Sequence, residues 1–111
     1  MFVKDVKEVS LLLDFYGDLL SERKQSVLTL YYNEDFSLAE IADEIGISRQ
    51  GARELIKKAE EELRNFEEKL GLVERFAEGK KRTEKIREMI RGKDLPEGLA
   101  EEIQALSELF G

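Results

Sequence analysis

Within the segment SLAEIADEIGIS, Ser37 to Ser48, the chain starts a helix, stops it and starts another. SLAE is a capping box: the Ser37 hydroxyl is placed to accept the N–H of Glu40, and the Glu40 carboxylate to reach back to the N–H of Ser37. The helix it opens lasts about two turns, because Gly46 stands where a chain leaving a helix commonly needs positive φ. Ser48 is a fresh N-cap two residues later. So short a turn forces the two helices into a sharp corner, which needs a small residue where they touch and apolar residues facing inward from both. Ala42, Gly46 and the set Ile41, Ile45, Ile47, Ala52, Leu55 and Ile56 meet those needs in order. The pattern is that of a helix-turn-helix, with an ordinary helical hairpin as the alternative.

The rest of the chain is read around this corner. Val6, Val9, Leu12, Leu13 and Tyr16 repeat with helical spacing up to Gly17. Ser21 can cap a second helix with Val27, Leu28, Leu30 and Tyr31 inward, until YNEDFS breaks the period. From Ile56, the residues Ala59, Leu63, Phe66, Leu70, Val73 and Ala77 alternate in steps of three and four, a coiled-coil-like seam. That seam serves either the chain's own core or a second subunit. Gly71 interrupts it, so the helix bends or ends there. A basic helix with Ile86, Met89 and Ile90 inside follows, then the turn GKDLPEG. Pro96 suits the first turn of a last helix burying Leu99, Ile103, Leu106 and Phe110. No strand pattern competes. The expectation is an all-α fold: a helix-turn-helix domain over residues 1–70, its motif at 37–58 and its second helix long, with a C-terminal helical extension over 71–111. That extension packs on the same core or on a second subunit.

Composition removes several function classes. The 111 residues include no Cys and no His, so disulfides and thiolate sites are out, and a zinc site or a catalytic triad would lack its usual ligand or proton carrier. Glu60, Glu61 and Glu62 are adjacent and point different ways from a helix, which reads as solvated surface rather than catalysis. No enzyme activity, cofactor or metal is expected. No run approaches the length of a membrane span, and MFVKDVKEV has charges where a signal peptide needs an apolar core. The expectation is a cytoplasmic protein without membrane insertion.

Charge is distributed in blocks. The chain carries −7 overall, but residues 48–58 hold four basic side chains against Glu54 alone. On the second helix of the motif, Ser48, Arg49, Gln50, Arg53, Lys57 and Lys58 remain for the outside, residue types that contact phosphates and base edges. Arg49, Arg53 and Lys57 share a face. Gly51, in the first turns of that helix, serves either close approach to nucleic acid or tight packing on the preceding helix. Four basic residues bind a duplex weakly, so two copies act together, a second basic block joins in, or the partner is not DNA. That second block comprises Lys80, Lys81, Arg82, Lys85, Arg87, Arg91 and Lys93. It is either a solvated face paired with the acidic last helix or an RNA backbone groove, and it has no interleaved aromatics for base stacking.

LLLDFYGDLLSERKQSVLTLYYNEDFSLAEIADEIGISRQ and the later EEKLGLVERF resemble the YlxM family of small bacterial helix-turn-helix proteins, whose motif looks like region 4 of sigma factors. LDFYGDLL, LYYNEDFSLAEIA and ISRQ are specific in combination, and the last helix after Pro96 lies outside the match. The resemblance implies a regulatory protein with a link to the signal recognition particle pathway, and the motif with its basic residues points to DNA or structured RNA as the ligand. It leaves room for an adaptor that keeps the motif as a scaffold and binds components of that particle. Twofold pairing is common among helix-turn-helix proteins, so a homodimer is expected.

Overall fold

Four helices begin on the caps the sequence supplies. In the computed structural model, which describes residues 5–111, Asp5 accepts the N–H of Glu8 at 3.1 Å and opens α1, Val6–Tyr16. Ser21 accepts that of Lys24 at 3.3 Å and opens α2, Glu22–Leu28. Both halves of the capping box form at the start of α3, Leu38–Ile45: Glu40 N–H to Ser37 at 3.1 Å and Ser37 N–H to Glu40 at 2.9 Å. Ser48 accepts the N–H of Gly51 at 2.9 Å and opens α4, Arg49–Leu70. The remaining helices are α5, Leu72–Ile90, and α6, Leu99–Glu108, and no strand occurs among the described residues. The fold is all-α, as expected. The charged opening read against a signal peptide rests partly on residues 1–4, outside the described residues.

The chain divides into two compact units, Met1–Gly71 and Leu72–Gly111. In the first, α4 is the central element, and α1, α2 and α3 all pack on it. Val9, Tyr16, Val27, Leu28, Ile41, Ile56 and Leu63 are fully buried there, with Ala52 and Ala59. Each large apolar side chain so buried contributes roughly 1.5–3 kcal/mol. Ile56, Ala59 and Leu63 of the coiled-coil-like seam are thus consumed by the chain's own core.

The second helix departs from its expected face. α2 widens into a single π-helical stretch, Thr29–Asn33, in which Thr29 Oγ1 donates to the carbonyl of Gln25 at 2.9 Å. A π stretch takes more residues per turn than an α-helix, so the inward position moves later in sequence. Tyr32 is buried in place of Tyr31, which stays half-buried beside it, ring centroids 5.1 Å apart and edge to face.

Buried Tyr32 brings a polar partner. Its hydroxyl donates to the Glu60 carboxylate, and Glu60 is itself buried. Arg64 lies 3.8 Å from Glu60 and donates to Glu8 of α1 at 3.0 Å. Lys24 to Glu62 at 2.6 Å and Tyr16 to Glu67 at 2.5 Å add further ties from α2 and α1 to α4. The reading of Glu60 as solvated surface is therefore corrected: a carboxylate can be buried when a hydroxyl and a guanidinium meet it.

Gly71 settles the bend-or-end alternative. It adopts the left-handed conformation, φ 61°, and its N–H caps α4 on the Glu67 carbonyl at 2.8 Å. α4 ends there, so Val73 and Ala77 belong to another helix.

In Leu72–Gly111, α5 and α6 pack on each other. Gly79 is the seat of Phe110: a Cβ at Gly79 would lie 2.2 Å from the Phe110 ring. Phe76 meets the same ring edge to face at 5.5 Å, and Arg87 donates to Ser107 at 3.4 Å. Several expectations fail in this unit. Ile86, Met89, Leu99 and Leu106 were expected inside, yet they are exposed, while Ile90, Ile103 and Phe110 are half-buried. Among its residues only Thr83 is buried. Two helices share one seam, which covers one stripe of each and leaves the flanking apolar positions uncovered. Pro96 also stands ahead of its expected place, since α6 starts at Leu99 after Gly98, φ 89°.

Candidate nucleic-acid interface

The corner forms where the residues place it. Gly46 closes α3 in the left-handed conformation, φ 80°, and the N–H groups of Gly46 and Ile47 both donate to the Ala42 carbonyl, at 2.9 and 3.0 Å. Ala42, Ile41 and Ala52 are buried where α3 meets α4. With Ser48 capping only Gly51, the amides of Arg49 and Gln50 have no partner within the helix, which leaves positive dipole at the start of α4.

Arg49, Lys57 and Lys58 are exposed, and Arg53, between the first two on the same face, is half-buried. Gln50 is exposed, but its side-chain amide donates to Glu54 at 3.0 Å. Ser48 is exposed with its hydroxyl engaged as the cap, so it positions the helix first. The six residues therefore fall on the first half of one helix, with basic groups along two stripes separated by Glu54.

One basic residue escaped the sequence reading. Arg23 of α2 lines a shallow cleft of about 240 Å³ with Ile47, Gly51, Glu54, Leu55 and Lys58. This places a further cation beside α4. No motif spacing signals it, because the neighbourhood is created by the packing of α2 on α4. Gly51 has a local explanation too: a Cβ there would lie 3.1 Å from the Ser48 hydroxyl and 3.7 Å from Ile47, so it is crowded by the turn and not by the preceding helix.

The second basic block is not a uniform groove. Lys80, Lys81, Arg82 and Lys85 are all exposed on α5. Arg82 pairs with Glu78 at 2.9 Å, and Arg91 with Glu88 at 2.7 Å. The first pair lies within α5, and Arg91, just past the end of α5, pairs back onto its last turn, so pairing with the acidic last helix is replaced by pairing about one turn away, which such spacing favours. Glu84 and Glu88 stand among Lys81, Lys85, Arg87 and Arg91 on the open surface there.

Two side chains of the core network have shifted protonation. Burial, then the hydrogen bond to Glu60, pushes the Tyr32 hydroxyl well above its ordinary value of 10.0. Burial works against the Arg64 charge, but the Glu8 hydrogen bond and the carboxylates of Glu8 and Glu60 outweigh it and hold the guanidinium charged. Neither group lies on the exposed ridge. Among the described residues no three Asp or Glu converge as a metal site would require, and no helix is long and apolar enough to cross a membrane.

Comparison with known proteins supports this motif. Residues 3–103 match the family model UPF0122, described as "Putative helix-turn-helix protein, YlxM / p13 like", a description that names no enzyme. A UPF0122 protein of Desulforamulus reducens is 42% identical over 100 residues, covering 87% of this chain and 86% of the relative. One of Acetivibrio thermocellus is 45% identical over 101 residues, covering 91% and 86%. The UPF0122 protein YlxM of Bacillus subtilis is 38% identical over 109 residues, covering 98% and 99%. With its corner at Gly46 and its match along nearly the whole chain, this protein belongs to the UPF0122 family of YlxM / p13-like helix-turn-helix proteins.

Proposed function

We propose that the chain is a small regulatory nucleic-acid-binding protein that docks the outer face of α4 on DNA. The observation that carries this reading is that Arg49, Lys57 and Lys58 are all exposed on the first half of the second helix of the corner, in a chain of net charge −7. Arg49, Gln50 and Arg53 stand nearest base edges, as residues at the start of a recognition helix do. Lys57, Lys58 and Arg23 neutralise phosphates. Structured RNA is the other ligand with the same backbone chemistry. A ridge of so few cations binds weakly by itself, so two copies act together on one target. The compartment that fits a nucleic-acid target and a cysteine-free chain is the cytoplasm.

The test is retention on duplex DNA and on structured RNA with Arg49→Ala/Arg53→Ala beside the unaltered protein. Loss of retention at moderate salt is expected, with helix content unchanged. Equal retention would remove these residues from the interface.

A second reading is favoured by the acidic remainder of the surface, including Asp43 and Glu44 of α3 and Glu101, Glu102 and Glu108 of α6, all exposed. In it the chain is an adaptor that binds a protein of the signal recognition particle, the partner implied by the family resemblance. Pull-down with and without nuclease separates the two: an adaptor complex survives nuclease, and a nucleic-acid complex dissolves.

A further inference from the structure

The hairpin Leu72–Gly111 carries an apolar face that its own two helices leave uncovered. In the whole chain Ile86 is 37%, Met89 65%, Leu99 38%, Leu106 40% and Leu109 70% exposed. These residues share a side. The seam between the helices is marked by Phe110 on Gly79 and by Arg87 on Ser107. Ile86 and Met89 lie about a quarter-turn round α5 from that seam, and Leu99, Leu106 and Leu109 lie round α6 from it in the direction that, for antiparallel helices, brings them to the same side. A hairpin of about 40 residues is at the size where a chain usually needs oligomerisation to complete a core.

Charge indicates what completes it. Residues 79–93 sum to +5 and residues 94–111 to −5. The two blocks do not neutralise each other across the seam, because Arg82 and Arg91 pair with Glu78 and Glu88 of α5 and no ion pair among the described residues joins α5 to α6. A hairpin with one basic and one acidic helix is complementary to itself. A twofold contact uses the same face on both subunits. Stacking α5 on α5 opposes like charges, whereas stacking α5 on α6 opposes unlike charges twice.

We propose that this face is a self-association surface: two copies stack their hairpins into a four-helix bundle, α5 of each lying over α6 of the other. Met89 and Leu106 are at its centre, with Arg82 and Lys85 on the basic rim and Glu102 on the acidic rim. The bundle supplies the second copy that a weak cationic ridge needs, but its chemistry is independent of nucleic-acid binding.

The test is the mass of the full chain by sedimentation across a wide concentration range, with no nucleic acid present, so its outcome is separate from that of the docking experiment. A dimer is expected, and a monomer at every concentration overturns the proposal. Met89→Glu/Leu106→Glu changes only exposed positions and should give a folded monomer by circular dichroism; a dimer as tight as the original overturns it. Arg82→Glu/Lys85→Glu and Glu102→Lys should each weaken self-association about tenfold, as like charges brought together do. Mixed, the two variants should form a heterodimer near the original affinity, since every opposed pair is again unlike. Failure of mixing to restore association overturns the α5-on-α6 arrangement.

Discussion

Leu63 and Leu106 are the same residue type on two amphipathic helices, yet one is wholly buried and the other 40% exposed. Leu63 sits on α4, which receives α1, α2 and α3. Leu106 sits on α6, which within its unit has only α5. An apolar stripe becomes a core only when enough neighbours surround it, and periodicity in the sequence does not count neighbours. The first unit therefore buries the helices that frame the corner at Gly46 around α4, and the second leaves apolar surface uncovered.

Truncation is the strongest attack on this contrast. Leu63→Ala should lower stability by about 2–5 kcal/mol, because it removes transfer energy and leaves a cavity. Leu106→Ala should lower it by less than about 1 kcal/mol in dilute solution, since much of that side chain is already in water. Urea unfolding of both variants reads the difference, and equal losses would erase the distinction between the units.

Gly79→Ala probes the seam of the second unit. A methyl group against the Phe110 ring should cost about 1–3 kcal/mol. Hydrogen exchange should speed up in α5 and α6 while α4 amides keep their protection. Acceleration spread evenly over α4 would mean the units do not unfold separately.

Tyr32→Phe tests the polar part of the first core, and about 1–2 kcal/mol should be lost as buried Glu60 gives up a donor. The hydroxyl's folded pKa is raised above its unfolded value near 10, so its stabilisation is complete below that pH and declines as pH rises beyond it. The stability difference between Tyr32→Phe and the original protein should therefore be constant from neutral pH to about 9 and shrink above 10. A difference that grows with alkalinity would contradict the burial of Tyr32.

The cap gives a smaller effect than the core truncation at Leu63. Ser48→Ala should cost about 1 kcal/mol, the usual loss of an N-cap hydroxyl, and should loosen the first turn of α4 without opening the core. Exchange at the Gly51 amide is the direct readout.

What the residues disclosed in advance was local. Ser37, Gly46 and Ser48 act within three or four positions of themselves, so the corner and its caps were legible. The Tyr32–Glu60 pair was not, because its members are 28 residues apart and Glu60 stands in a Glu run that looks like surface. Tyr31 holds the inward position of an α-helical period, and the π stretch that replaces it with Tyr32 has no clear mark in sequence. Arg23 has no local signature either, because its place beside Lys58 depends on how α2 packs against α4. In α5 and α6 the apolar period showed which sides want cover, but not whether cover is present.

The most direct measurement is the salt dependence of duplex binding, by fluorescence anisotropy, for the unaltered protein and for Arg49→Ala/Lys57→Ala/Lys58→Ala. All three side chains are exposed, so the variant should keep its fold. The account predicts weaker binding by the variant and a log–log salt slope shallower by about 0.9 for each phosphate contact removed. Identical affinity and slope in the two proteins would contradict it, and would mean that the ridge on α4 is not where nucleic acid docks.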